Sequence, residues 1–379
     1  MLTKVTLENF FSFGKATTIE LNPGANFLIG INASGKSNFF KALRLLKVGV
    51  VKRDLKHLFG EEWRGWKSML HSGTIQENVI KLSYEYSSYD NVLLIYELSW
   101  TEGGKKFREV LKFANIDYPF TFLNLTTDLL KEEAEGYLVI DKAGKKEQLD
   151  IDALSLDTGE LYLGQLKTTS LHVKGFLSYI KSMRDYNHFD MSPKSGVRFS
   201  SQLTVDDYLT DIGTNLAAVL SKIEESQPFA YEEIQQQLKK INPQFEELVF
   251  HERGEVKHLA IKEKHLKKEI PIEHLSDGTL HFLLMLCIFY NPDRGKVLVI
   301  EELELGLHPK AIGFVGQAIK YAAEDNTQLF IVTHSPMLLN GFELEDVYVF
   351  QKTKQNQTQV LPATTYQVEN TKVLLNSIW

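Results

Sequence analysis

Gly30 to Ser37 read GINASGKS, the complete G-x-x-x-x-G-K-S pattern of a phosphate-binding Walker A loop. Phe27, Leu28 and Ile29 precede it as a short apolar run, which predicts a buried strand. Phe39, Phe40, Leu43 and Leu46 follow it at helical spacing. A glycine-bearing loop between a strand and a helix turns its backbone N–H groups inward, and the positive end of the helix adds to them. Gly30, Asn32, Ala33, Ser34, Gly35, Lys36 and Ser37 are therefore candidate phosphate ligands of ATP. Lys36 is placed to reach the β and γ phosphates, and Ser37 to offer a hydroxyl to magnesium. Stripped of that context, the same residues read as a glycine turn before an ordinary helix.

Three later segments fit the same site. Val297 to Glu302 read VLVIEE, an apolar strand ending in two carboxylates at the end where a parallel sheet presents its ligands. Glu301 is expected to hold magnesium, directly or through water, and Glu302 to orient and polarise the attacking water. Two like charges beside a triphosphate are costly without a cation, so ATP and Mg2+ are expected together. His334 ends a second apolar strand that begins at Leu329, and its imidazole is a candidate partner of the γ phosphate or the water. Leu275, Ser276, Asp277, Gly278 and Thr279 read LSDGT at the start of a helix. Ser276 is a candidate phosphate donor there, and Gly278 allows close backbone approach. Taken as a bare pentapeptide, the segment is also an ordinary helix N-cap built on Ser276 or Asp277.

The chain has 379 residues, 43% of them hydrophobic, enough for a large core or a core carrying a second lobe. A net charge of -7 excludes a generally basic nucleic-acid-coating surface but not a local patch. Basic residues gather at Lys52, Arg53 and Lys56 and again at Lys262, Lys264, Lys267 and Lys268, which read as solvated faces. Cys287 is the single cysteine and lies in an apolar run, as expected of a core residue in a reducing compartment. Glu8 and Asn9 interrupt any signal-peptide core, and Phe282 to Tyr290 is too short to span a bilayer. No membrane role and a cytoplasmic location are expected.

The expected fold class is α/β, with mixed parallel and antiparallel sheets. Ile80, Leu82, Tyr84 and Tyr86 alternate with polar residues, Leu94, Tyr96, Leu98 and Trp100 repeat the pattern, and Phe107 to Phe113 returns, which predicts an antiparallel meander. Residues 1–114 are read as the first part of the ATPase core, 115–205 as an inserted lobe, and 206–379 as the second part of the core. Helices are expected around Phe176 to Tyr186 and over Tyr208 to Ile223. No heptad array persists, so the insertion is expected to be compact, without a long coiled-coil arm.

These residues resemble the ABC-type ATPases of the SMC and RecF group, especially the compact prokaryotic RecF-like or OLD-like AAA ATPases. The resemblance covers roughly Met1 to Lys56 and Asn215 to Phe350. It rests on the opening LTKVTLENFFSFGKATTIEL, the Walker A loop, the segment from Gly213 to Leu220, LSDGT, GLHP at Gly306 to Pro309, and His334 as the switch histidine. It implies a P-loop NTPase head that dimerises head to tail, with Ser276 and Gly278 of one subunit closing on ATP held by the other, possible higher oligomers, and a separate effector protein. Two departures stand out. Glu301 and Glu302 are followed by Leu303 where the family has Asp-Glu-Pro, and magnesium tolerates poor geometry badly. Asp277 replaces the second-position glycine of the transporter form of the signature.

The resulting expectation is a Mg-dependent ATPase acting as sensor or scaffold for a nuclease or toxin effector in antiphage defence, the defence role resting on the resemblance. The alternative is a DNA repair or chromosome maintenance ATPase that clamps DNA, with nucleic acid as its partner. A nuclease is the third reading, since Asp150, Asp152, Glu160, Gln165 and Lys167 faintly resemble the acid-x-Lys arrangement of restriction-type nucleases. No toprim-like segment follows the ATPase within these residues, so a full OLD nuclease is not expected.

Overall fold

The structure is a computed structural model that describes residues 1–73, 78–101, 103, 105–116, 119–128, 133–139, 146–148, 160–199, 201–202 and 207–366. The chain opens with β1 (Leu2–Glu8), β2 (Thr17–Glu20), β3 (Ala25–Ile29) and α1 (Lys36–Lys47). Short helices α2 (Leu55–His57) and α3 (Trp66–Met69) lead into the meander of β4 (Ile80–Ser87), β5 (Leu93–Thr101), β6 (Lys106–Ala114), β7 (Phe120–Asp128), β8 (Glu133–Val139) and β9 (Lys146–Gln148). Next come α4 (Tyr162–Gln165), α5 (Leu171–Lys181), β10 (Met183–Tyr186), β11 (Ser201–Gln202), α6 (Leu216–Ser226), α7 (Pro228–Ile241), β12 (Phe245–Arg253), β13 (Val256–Glu263) and β14 (Ile270–Pro271). The last part holds α8 (Asp277–Tyr290), β15 (Val297–Glu301), α9 (Pro309–Glu324), β16 (Gln328–Val332), β17 (Val347–Lys352) and β18 (Thr358–Pro362).

Among the described residues three sheets result. The first is antiparallel, in the order β2-β1-β4-β5-β6-β7-β8-β9. The second, in the order β10-β15-β16-β3-β17-β18, is parallel except for its last strand. A small sheet pairs β13 with β11, β12 and β14.

The second sheet explains its own unbroken apolar strands. Leu28, Val297, Val299, Phe330 and Val332 face one core, shared with α1 and the antiparallel sheet. Phe27, Ile29, Leu298, Ile300, Leu329 and Ile331 face the other, shared with α6 to α9. Side chains alternate between the faces of a strand, so a strand covered on both faces has no polar register left. Helix α8 follows the same logic in helical form. Leu280 through Tyr290 are all buried, Cys287 among them, as expected of a helix apolar on every side. Among the described residues, no helix is long and apolar enough to cross a membrane.

Several expectations meet a different arrangement. The division at 114/115 falls between β6 and β7, which pair along their length, so the antiparallel sheet runs on into residues 115–205. The same stretch contributes β10 to the nucleotide sheet, beside β15. The helix expected over Phe176 to Tyr186 stops at Lys181, and Met183 to Tyr186 form β10 instead, because the parallel ladder with Val297–Ile300 takes up their backbone groups. The helix expected from Tyr208 starts at Leu216. Gly213 holds a φ of 73°, and Asn215 ties the preceding turn together: its Oδ1 accepts from Thr210 N at 2.9 Å and its Nδ2 donates to Tyr208 O at 3.0 Å. The apolar period there continues through a turn without helical backbone.

One buried acid joins the antiparallel sheet to the segment before α5. Glu109, fully buried in β6, accepts from Tyr96 Oη at 2.5 Å and from the backbone N–H groups of Tyr162 and Leu163 at 2.6 and 3.2 Å. Leu161 N in turn donates to Gly49 O at 3.0 Å, just beyond α1. Burial pushes the Glu109 carboxyl up to about 7, against the pull of those three donors. A raised carboxyl contributes stability that is fully present below its unfolded value and is lost as pH rises through its folded one. Urea melts between pH 5 and pH 8 should show a loss of up to about 3 kcal/mol that Glu109→Gln lacks. Equal pH slopes in the two proteins would rule this role out.

Candidate functional site

The register of the second sheet assembles the site. Glu301 pairs with Val332, and Val332 pairs with Leu28, so β15, β16 and β3 end along one edge. The loop from Gly30 to Gly35, the two carboxylates and the segment after Val332 therefore meet there. They line a cleft of about 250 Å3 that includes Asn32 to Asn38, Glu301, Glu302, Val332 and His334.

The loop takes its shape from positions that reject side chains. Gly30 has a φ of 138°, and a Cβ there would lie 2.1 Å from Phe350 O. Gly35, the residue before α1, has a φ of 116°, and its Cβ would lie 2.2 Å from Thr358 Oγ1. Ala33 is also left-handed, at a φ of 64°. A small polar network clamps the loop from outside. Thr358 Oγ1 is 2.7 Å from both Ser34 O and Ser12 Oγ, Thr358 N donates to Ser12 O at 2.7 Å, and Asn38 Nδ2 donates to Ser12 Oγ at 2.8 Å. Ser34 Oγ is buried without a hydrogen-bond partner inside the loop. Lys36 Nζ turns back on the loop, donating to Gly30 O at 2.6 Å and Ile31 O at 3.2 Å. Burial holds its ammonium below the ordinary lysine value, with Glu301 and Glu302 pulling the other way.

The two carboxylates have different backbone settings. Glu301 reaches Ser37, whose Oγ donates to Oε2 at 3.3 Å. Burial raises its carboxyl above the usual range, and the Ser37 hydrogen bond opposes the shift. Glu302 has a left-handed φ of 53°, and its N–H donates to Val332 O at 3.0 Å. That conformation is uncommon for a residue with a side chain, and both acids still line the one cleft. Lys41, one helical turn beyond Ser37, lies near enough to Glu301 to favour its charged form. The Lys41 ammonium also lies 3.9 Å from the Phe11 ring centre.

The residues present fit ATP with a divalent cation. Gly30 and Gly35 leave a backbone cradle that a Cβ would fill, Ser34 Oγ lacks a partner, and the Ser37 hydroxyl and Glu301 carboxylate converge. Among the described residues no cluster of three histidine, cysteine or acidic side chains is suited to a metal. A magnesium ion held by one or two protein oxygens plus phosphate oxygens needs none.

LSDGT stands apart from this cleft, whose lining includes no residue of 275–279. Ser276 is the N-cap of α8: its Oγ accepts from Thr279 N at 3.2 Å and lies 2.8 Å from Thr279 Oγ1. The geometry is that of the helix N-cap reading, built on Ser276. Gly278 packs against the loop after Glu302, where a Cβ would lie 3.1 Å from Gly306 O. In the same loop, Leu305 O is 2.6 Å from His281 Nδ1.

Sequence reasoning missed four contributors. Glu304 Oε1 accepts from His334 N at 2.5 Å and so seats the histidine segment. Arg198 bonds to Asp277, and the Ser12–Thr358 clamp joins residues 346 positions apart. Lys41 alone had a local signal, four residues after Ser37 on one helix face. Of the nuclease candidates, Asp150 and Asp152 lie outside the described residues. Gln165 Nε2 donates to Glu160 Oε2 at 2.8 Å, and Glu160 also lies 3.6 Å from Arg53 Nε, so both are engaged in local pairs.

Comparison with known proteins bears on the fold. The head domain of an Smc protein bound to the C-winged helix domain of ScpA superposes with a TM-score of 0.54 at 12% identity, covering 97% of this chain and 99% of that one. The chain has the SMC/ABC-type ATPase head fold. The SMC head of Thermotoga maritima aligns over 95% of this chain and 98% of its own, at 13% identity and a TM-score of 0.48. A family model described as "AAA domain, putative AbiEii toxin, Type IV TA system" matches residues 185–340. The DNA replication and repair protein RecF of Limosilactobacillus reuteri strain DSM 20016 is 34% identical over 85 residues, 22% of each chain, and that of strain JCM 1112 of the same species matches equally. The chain thus matches 22% of the length of these curated relatives.

Gly30→Ala should cost about 3 kcal/mol or more, from the left-handed backbone and the contact with Phe350 O. Urea denaturation checks the stability. Lys36→Ala should weaken binding of a fluorescent ATP analogue, with the melting temperature reporting whether the fold is kept.

Proposed function

We propose that this protein is a Mg-dependent ATPase that works as a nucleotide-gated dimer and controls a separate effector. The observation that carries the reading is the split between two half-sites. Walker loop, Glu301, Glu302 and His334 share one cleft, whereas the anion-suited helix start at Ser276 lies outside it. A second copy, related head to tail, supplies the missing half, and a twofold contact of this kind closes on itself. Ile31 in the phosphate loop and Leu305 after Glu302 are exposed large hydrophobic side chains on that edge, which suits closure against protein.

In this reading the loop N–H groups and Lys36 bind the phosphates, which means that Lys36 Nζ exchanges its two carbonyl partners for phosphate oxygens. Ser37 and Glu301 hold the cation, which when bound neutralises charge on the transferred phosphoryl group. Glu302 orients and polarises the attacking water. His334, seated by Glu304, contacts the γ phosphate or that water. Glu301 is one methylene longer than an aspartate, and magnesium tolerates poor geometry badly. That favours slow turnover, which suits a switch more than a motor.

The toxin–antitoxin wording of the matching family model supports a defence role with a toxin or nuclease effector. The RecF match supports a second reading, a DNA repair or chromosome maintenance ATPase that clamps DNA. Salt-dependent DNA binding by the protein alone distinguishes the two.

Glu302→Gln should slow phosphate release about 100-fold while keeping ATP binding. Light scattering with ATP and magnesium should then show twice the mass seen with ADP, and the same mass in both nucleotides counts against a gated dimer. Ser276→Ala should lower turnover about tenfold and leave the affinity of the Walker loop unchanged.

A further inference from the structure

Asp277 poses an electrostatic problem. It is the first residue of α8 and its side chain is 70% exposed, at the helix start proposed above to face a triphosphate. A carboxylate at that position stabilises the helix but repels phosphate. Its partner is Arg198, whose side chain is only 6% exposed. Arg198 comes from the turn Gly196–Arg198, far from α8 in sequence. Its Nε donates to Met191 O at 2.9 Å, its Nη1 to Leu275 O at 2.7 Å, and its Nη2 to Asp277 Oδ1. The two carbonyls fix the guanidinium whether or not Asp277 is charged. The third bond holds a positive charge against the carboxylate and, together with the bond to Leu275 O, ties down both neighbours of Ser276.

We propose that Arg198 is the positioning residue that lets a signature carrying Asp277 accept the triphosphate of a partner subunit. It neutralises the carboxylate and ties Asp277 back, so that Ser276 and the first N–H groups of α8 present a net attraction to phosphate. This rests on the dimeric reading above and adds to it what offsets the charge at that helix start.

The test compares Arg198→Gln with Arg198→Gln/Asp277→Asn in the full chain, measuring phosphate release and the affinity of a fluorescent ATP analogue. Arg198→Gln should lower turnover about ten- to hundredfold, the worth of a charge-assisted hydrogen bond, without changing analogue affinity. Removing the carboxylate in the same chain should restore turnover to within about fivefold of the unmodified protein. A purely structural arginine would not be rescued this way, since its carbonyl partners remain unmet.

Two differently tagged chains, co-expressed and purified through both tags, place the effect across the interface. Arg198→Gln paired with Lys36→Ala should regain turnover through the one intact composite site, as should Ser276→Ala paired with Lys36→Ala. If the Ser276 pair regains turnover but Asp277→Asn fails to rescue Arg198→Gln, the role assigned to Arg198 is wrong and the dimer stands. If the Ser276 pair stays inactive, the dimer falls and the role of Arg198 falls with it. Should Arg198→Gln fail to fold, Arg198→Lys replaces it: Asp277→Asn must raise its turnover, and no gain overturns the proposal.

Discussion

The burial of one parallel sheet on both faces is the constraint on which the rest of the molecule depends. Strands β3, β15 and β16 lie side by side in the interior, each splitting its side chains between two cores. Their register is strongly specified, because a shift of a single residue would exchange the two faces against cores of different shape. Fixed register brings Ile29, Glu301 and Val332 to a common edge. The candidate site residues lie at or just after those positions, so the placement of the cleft derives from packing below it.

Much of this was legible in the residues because the signals are local. The phosphate loop has a fixed spacing, and VLVI and LFIV are apolar runs too short for helices. The meander alternates with period two through Tyr84, Tyr86, Tyr96 and Leu98. Where local pattern and backbone part company, the reading failed for identifiable reasons. Leu209 and Ile212 continue the helical period of α6, yet Gly213 and the Asn215 side chain impose a turn before Leu216. Met183 to Tyr186 look like the end of a helix, but β15 offers them a ladder. Arg198, Glu304 and Thr358 act over distances in sequence that no window spans.

Two acidic side chains, Glu301 and Asp277, are held in different ways. At Glu301 the carboxylate meets the Ser37 hydroxyl, and Lys41 on the same helix lies near enough to favour its charged form. At Asp277 the compensating charge comes from a remote turn and is buried. In each case a carboxylate is matched with a cation from a different element. Charge balance therefore depends on tertiary structure, and the same motifs read as isolated peptides would look poorly suited to phosphate.

Thr358 and Ser12 carry a consequence for biosynthesis. The outer wall of the phosphate loop is closed by a strand near the end of the described chain, with Thr358 bonded to both Ser34 and Ser12. Translation delivers residues 30–37 long before residue 358. Until the last hairpin has left the ribosome and docked, the loop lacks the contacts that fix Ser34 and bound Gly35. A chain lacking that hairpin therefore carries residues 30–37 without the contacts from Thr358 that shape them.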